Sequence, residues 1–300
     1  MVEKLIISPN FSLNWRLKLR FAVLPRRPTP SLIKDNKWIR AIRMDDRLIP
    51  LIVESIGSEE NPKLLVLTPK LRSKEKRKIR DFILEFHGIK DVREFYNFMA
   101  KDKVLKEIKD KLYGFGRAGL MSATIYEGII KAILQQQISL KVAETITANL
   151  VENYGDKTEF CGEYAYDFPS PKTIADLTVS ELRKCGLSLK KAEYIKEFSA
   201  TVLKGFEPEK LKNETPTRIM ECLTAFRGIG RWTAELVMVA SIGLNVIPAD
   251  DLGVRKAISH FYFNDKLQSP ETIRSFAEKK FGRWLRDCLV YLLMAYRTKM

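Results

Sequence analysis

One short segment constrains this chain more than any other: Leu223-Thr224-Ala225-Phe226-Arg227-Gly228-Ile229-Gly230-Arg231-Trp232-Thr233-Ala234. An apolar helix ends, Gly-Ile-Gly turns the chain, and a second helix starts. Gly228 can take the left-handed conformation that closes a helix. Gly230 has no Cβ, so another backbone can come close, and Ile229 can anchor the turn in a core. The new helix start at Gly230, Arg231 and Trp232 presents unpaired N–H groups and a positive dipole end, which suits one backbone phosphate. Turn glycines alone also serve an ordinary helical hairpin. Charge adds weight to the anion reading. Lys and Arg number 52 against 37 Asp and Glu, a formal net charge of +15. Such a field attracts polyanions, nucleic acid first; a Lys-rich surface of the thermophile kind is the plainer alternative.

Composition closes several other routes. A chain of 300 residues has room for about two domains. With 16 Phe and 10 Tyr it is too aromatic to be mainly disordered. Its four cysteines (Cys161, Cys185, Cys222, Cys288) form no Cys-x-x-Cys, and with His87 and His260 they match no familiar zinc spacing. This favours a reducing setting. No apolar run is long enough to span a membrane, and Met1–Ile7 is too short and acidic for a signal peptide. The expectation is an intracellular protein of the cytoplasm or nucleoid, off the membrane and monomeric.

Residues 1–70 read as mainly β. Trp38–Arg43 and Leu48–Val53 flank a polar break at 44–47 and predict a hairpin, with a third strand at Lys63–Thr68. Leu13–Leu24 fits strand alternation and a helical stripe equally. The basic run Lys70–Lys78 reads as a solvated face or a helix start. From about residue 74 the pattern is helical to the end. Thr124 with Glu127 and Thr178 with Glu181 offer capping boxes. Ser139, Ser170-Pro171 and Thr215-Pro216 mark further helix starts. The expected architecture is an α+β N-terminal domain with an antiparallel sheet, residues 1–100. An all-α, two-lobed domain occupies 101–300, with the hairpin at about 216–241.

The hairpin segment resembles the helix-hairpin-helix DNA-binding motif, and its continuation resembles the base-excision DNA glycosylases that carry that motif. In that superfamily an aspartate at a helix start comes after the motif. Here the chain reads Ile247-Pro248-Ala249-Asp250-Asp251-Leu252-Gly253-Val254-Arg255, and Asp251 with Val254 fits the family pattern where Asp250 does not. An aspartate there is also a common N-cap, and the two roles are compatible. Upstream, Ala132–Ser139 is similar to the helix end and loop that family members push into the duplex. The chain has four glutamines, and three are consecutive at Gln135, Gln136 and Gln137. A glutamine of 135–137 can fill the hole left by an extruded nucleotide, with Gln136 and Gln137 as the DNA-binding candidates; a polar helix C-terminus is the plainer alternative. Leu182–Tyr194 is similar to a further family segment. The order of pieces is closest to the 3-methyladenine DNA glycosylase II (alkylpurine) branch.

The resemblance implies a DNA N-glycosylase of base excision repair, acting on damaged double-stranded DNA. Asp251 would be catalytic. Trp232, Leu236 and Met294 would line the base pocket, and Gly228, Ile229, Gly230 and Arg231 would hold the backbone. The branch's pocket tyrosine is replaced by Leu236, and Leu292-Leu293-Met294 lacks a tryptophan found in that branch. Strand-cutting members carry a lysine where Trp232 stands, so AP lyase activity is not expected. Iron–sulfur members need four clustered cysteines, and only Cys288 lies near the C-terminus. No cofactor is expected; a monovalent cation at the hairpin is compatible with the motif. Two other readings stay open: an 8-oxoguanine (oxidised-purine) glycosylase, and a non-enzymatic helix-hairpin-helix DNA-binding protein.

Overall fold

The structure, a computed structural model, describes residues 2–45 and 47–300; Met1 and Asp46, the latter in the expected 44–47 turn, lie outside the described residues. The N-terminal part runs β1 (Val2–Ile7), α1 (Trp15–Arg20), β2 (Leu32–Lys34), β3 (Lys37–Met44), β4 (Arg47–Ser55), β5 (Leu64–Pro69) and α2 (Ser73–Phe86). The five strands form one antiparallel sheet in the order β1-β5-β4-β3-β2. Trp38, Leu51, Val53, Leu64 and Val66 form a core with Trp15 and Leu19 of α1 and with Ile79, Ile83 and Phe86 of α2.

The ambiguous Leu13–Leu24 segment is a short helix. The Asn14 side chain accepts from Leu17 N–H and caps it, while Trp15 and Leu19, one turn apart, turn inward. The basic run opens α2, and its one acidic residue, Glu75, is buried where Arg47 reaches it from β4.

The helical part comprises α3 (Arg93–Met99), α4 (Lys103–Lys111), α5 (Ile125–Gln135), α6 (Leu140–Tyr154), α7 (Pro171–Asp176), α8 (Val179–Lys184), α9 (Leu189–Leu203), α10 (Pro216–Thr224), α11 (Arg231–Val237), α12 (Leu252–Tyr262), α13 (Pro270–Phe281) and α14 (Leu285–Arg297). The expectation of unbroken helix after residue 74 fails at one place. Strands β6 (Lys157–Phe160) and β7 (Glu163–Tyr166) form a hairpin. Ala165 and Phe160 of that hairpin pack on Ile39, Ala41 and Ile52, covering the second face of the N-terminal sheet.

The helices build two cores. One holds α5 to α11, with Ile129, Ile133, Ile195, Leu223, Ile229 and Val237 buried. The other joins α3 and α4 to α12–α14, with Phe95, Leu105, Val254, Ile273, Phe281 and Tyr291 buried. The chain thus leaves one lobe after α4, builds the second, and returns after residue 246.

The junction between sheet and helices is ionic. Arg40 of β3 lies against Glu127 of α5, both almost wholly buried, with Nη2 and Oε2 2.5 Å apart. Asp167 stands 3.8 Å from the same guanidinium; burial pushes its carboxyl up to about 6, against the pull of Arg40. This explains why the expected capping box at α5 is only half made. Thr124 accepts from Glu127 N–H, but the Glu127 carboxylate is committed to Arg40 and to Ala123 N–H.

Candidate active site at the seam of the two lobes

The hairpin is α10, a turn at 225–230 and α11, which continues to Ile242 as one π-type turn. Gly228 has φ +85°. A Cβ there would lie 2.1 Å from the Tyr194 ring of α9, so glycine is required both by backbone and by space. Gly230 is different: its φ is −97°, and a Cβ would meet nothing within 4 Å. Open space thus stands over Gly230 at the start of α11. Ile229 is buried in the core. Arg231 is exposed, its Nε donating to Glu235 Oε1 at 3.0 Å. That bond raises its already high pKa.

Asp251 caps α12. Its Oδ1 accepts from Val254 N–H at 2.9 Å, and its Oδ2 accepts from the Trp232 indole N–H at 3.1 Å. Trp232 starts the second hairpin helix, so this one bond spans the seam from the hairpin lobe to the α12 lobe. The indole belongs to neither core: it is half-buried, with its edge spent on Asp251. Leu236, one turn on from Trp232, packs on the first core, and Met294 of α14 packs on the second.

Asp250 points elsewhere. It is exposed and lines a surface groove with Arg231, Glu271 and Arg274. The structure thus separates the adjacent aspartates into one held at the seam and one facing solvent.

The glutamine triplet also divides. Gln136 Nε2 donates to the Gly228 carbonyl at 2.8 Å and to Thr233 Oγ1 at 2.9 Å. It ties the loop to the hairpin. Gln137 is exposed, with φ +56°. Lys191 at the start of α9 fixes the same loop by donating to the carbonyls of Leu134 and Gln136. Burial holds its ammonium below the usual lysine range.

Arg297 was not found by sequence reasoning. Its side chain reaches the surface, yet enough protein surrounds the guanidinium to lower its pKa, with the Asp251 charge pulling the other way. Its helical spacing of three from Met294 was the available signal.

The family described as HhH-GPD superfamily base excision DNA repair protein matches residues 130–283, more than half of the chain. The chain belongs to that family. Residues 5–91 match the AfAlkA-like, TATA-box binding protein-like domain. A solved 3-methyladenine DNA-glycosylase from Archaeoglobus fulgidus is 42% identical, covers 98% of each chain and superposes with a TM-score of 0.92. DNA-3-methyladenine glycosylase 1 of Schizosaccharomyces pombe is 30% identical over 51% of this chain and 64% of its own length. The 8-oxoguanine glycosylase/lyase of Clostridium acetobutylicum, solved with DNA, covers 100% of this chain and 99% of its own with a TM-score of 0.76. At 20% identity that likeness shows the fold alone. Among the described residues no helix is long and apolar enough to cross a membrane.

Proposed function

We propose that this chain is a monofunctional DNA glycosylase that acts as a monomer, without a cofactor, to release alkylated purines of the 3-methyladenine type from duplex DNA. The observation that carries the reading is the carboxylate of Asp251, held by two donors at the seam directly beside the hairpin. Purines alkylated at N3 or N7 carry positive charge, so they leave without a strong general acid. The protein must extrude the nucleotide and stabilise the cationic sugar that forms. A carboxylate fixed before the reaction does this without reorganisation. Gly228, Gly230 and Arg231 hold a phosphate, and Gln137, rather than Gln136, enters the vacated stack. Release of free bases from methylated duplex, with the products identified, tests this. Release of 8-oxoguanine in place of 3-methyladenine would favour the oxidised-purine reading, and no release at all would favour a pure DNA binder.

Trp232 offers its ring face to the cationic base while its edge N–H holds Asp251. Cation–π contact of this kind contributes about 0.5–2 kcal/mol, roughly 2- to 30-fold in rate. Trp232→Phe should slow release of 3-methyladenine by more than it slows release of neutral hypoxanthine. Parallel losses for the two bases, with melting unchanged, would leave the indole only its hydrogen bond to Asp251.

Positions 231–233 hold Arg, Trp and Thr, none of them an amine able to form a Schiff base. Borohydride should trap no covalent protein–DNA adduct, and the product should be an intact abasic site. A trapped band abolished by one Lys→Ala substitution would overturn the monofunctional assignment.

A further inference from the structure

Glu235 lies one turn beyond Arg231 on α11, and only 3% of it is exposed. Its Oε1 accepts from Arg274 Nη2 at 2.9 Å as well as from Arg231 Nε at 3.0 Å. Arg274 belongs to α13, in the other lobe. Its second nitrogen, Nη1, donates to the Ile247 carbonyl at 3.1 Å. Ile247 begins the five-residue segment that ends at Asp251, and Ile247 and Ala249 are fully buried within it. Two internal bonds stiffen the segment, from Ala249 N–H to Ile247 O and from Asp251 N–H to Pro248 O. One guanidinium therefore grips the hairpin helix with one hand and the aspartate segment with the other.

We infer that Arg274, held by the buried carboxylate of Glu235, is a positioning residue that sets Asp251 against Trp232 across the seam. The inference rests on the glycosylase reading for its kinetic consequence, but not for its geometry. Besides Arg274, the Trp232–Asp251 bond joins the lobes at the aspartate itself, and Arg286 of α14 donates to the Val239 carbonyl at 2.7 Å further along the hairpin helix. The residue types fit this task. A planar guanidinium offers two parallel donors at fixed separation, which a lysine cannot. Burying Glu235 is tolerable only with its cationic partners in place, because an unpaired buried carboxylate is strongly destabilising. Its other partner, Arg231, is largely exposed, so Arg274 supplies the sheltered half of the pairing.

Positioning and mere stability can be separated. Arg274→Met should lower both the melting temperature and the single-turnover rate on methylated duplex, the rate by about 10- to 100-fold, the penalty for misplacing a reacting group by an ångström or less. Adding Glu235→Leu removes the stranded charge and should restore the melting temperature. The rate should stay low, because the Ile247 carbonyl still lacks the Arg274 donor that ties its segment to the hairpin helix. Affinity for undamaged duplex in the Arg274→Met protein should stay within twofold of wild type. The indole N–H resonance of Trp232, assigned among four tryptophans by Trp232→Phe, should move in both variants. A rate that recovers together with the melting temperature would overturn the inference, as would an unmoved Trp232 resonance. A wild-type protein that releases no base would sink the glycosylase reading, and the resonance would then decide the positioning role alone.

Discussion

Asp251→Asn should reduce base release by at least about 10²–10³-fold, the usual loss when a preorganised electrostatic group is removed from a reacting centre, while binding to damaged duplex survives. The structure makes this a clean substitution for the fold. Asparagine caps helices as well as aspartate does, and its carbonyl can keep the bond from Val254 N–H. The change is confined to charge and to the second oxygen. An Nδ2 group facing the Trp232 indole would set donor against donor, so that bond is lost as well. Trp232→Phe removes the same bond with the carboxylate left intact, and with neutral hypoxanthine, where no cation–π contact is lost, it measures how much of the loss belongs to that bond. Asp250→Asn should be nearly silent in single-turnover rate, because that side chain lies out in the groove with Arg231 and Glu271. In the proposed mechanism the carboxylate works on the transition state more than on bound substrate, so kcat should fall while affinity is kept. Equal losses in the two asparagine variants, or a loss of affinity matching the loss of rate, would remove Asp251 from its catalytic place.

What could be read ahead of the structure was local. Helix starts at Ser139, Ser170, Thr178 and Thr215 carry their own signal because the capping side chain and its backbone partner are three residues apart. At the ambiguous first helix, Asn14 is the residue that tips the balance away from a strand. The hairpin glycines and Asp251 are local in the same sense. The β6–β7 hairpin escaped because its strands are four residues each, set between helices. Its turn, Cys161-Gly162 with φ of +52° and +77°, was its only strong sign. Distance hid the rest. Arg40 meets Glu127 across 87 positions, and Gln136 meets Gly228 across 92. Nothing in either neighbourhood distinguishes a buried ion pair from a solvated charge, or a bracing glutamine from an inserting one. The triplet was visible as an anomaly, but its division of labour depends on where the hairpin folds back.

The two hairpin glycines, alike in sequence, should both lose DNA affinity on substitution by alanine, but only Gly228 should lose stability with it. Gly228→Ala places a methyl group 2.1 Å from the Tyr194 ring on a backbone at φ +85°. The left-handed conformation costs a non-glycine residue about 1–2 kcal/mol, and overpacking adds about 1–3 kcal/mol. The ring has little freedom to yield. Arg227 lies over it at 5.2 Å and is itself held by Glu193 and Glu197, so swinging Tyr194 aside would break that arrangement too. Melting should therefore drop, and binding should fall for damaged and undamaged DNA alike as the turn distorts. Tyr194→Ala added to Gly228→Ala should return the packing part of the loss but not the backbone part. Gly230→Ala meets no atom within 4 Å and sits on a backbone any residue adopts, so its melting temperature should match wild type. On the proposed reading its methyl group stands where a phosphate approaches the first turn of α11. Affinity should fall about tenfold for every duplex, because a phosphate contact carries no information about the base. A Gly230→Ala protein that binds undamaged DNA normally would show that the backbone is held somewhere other than this turn.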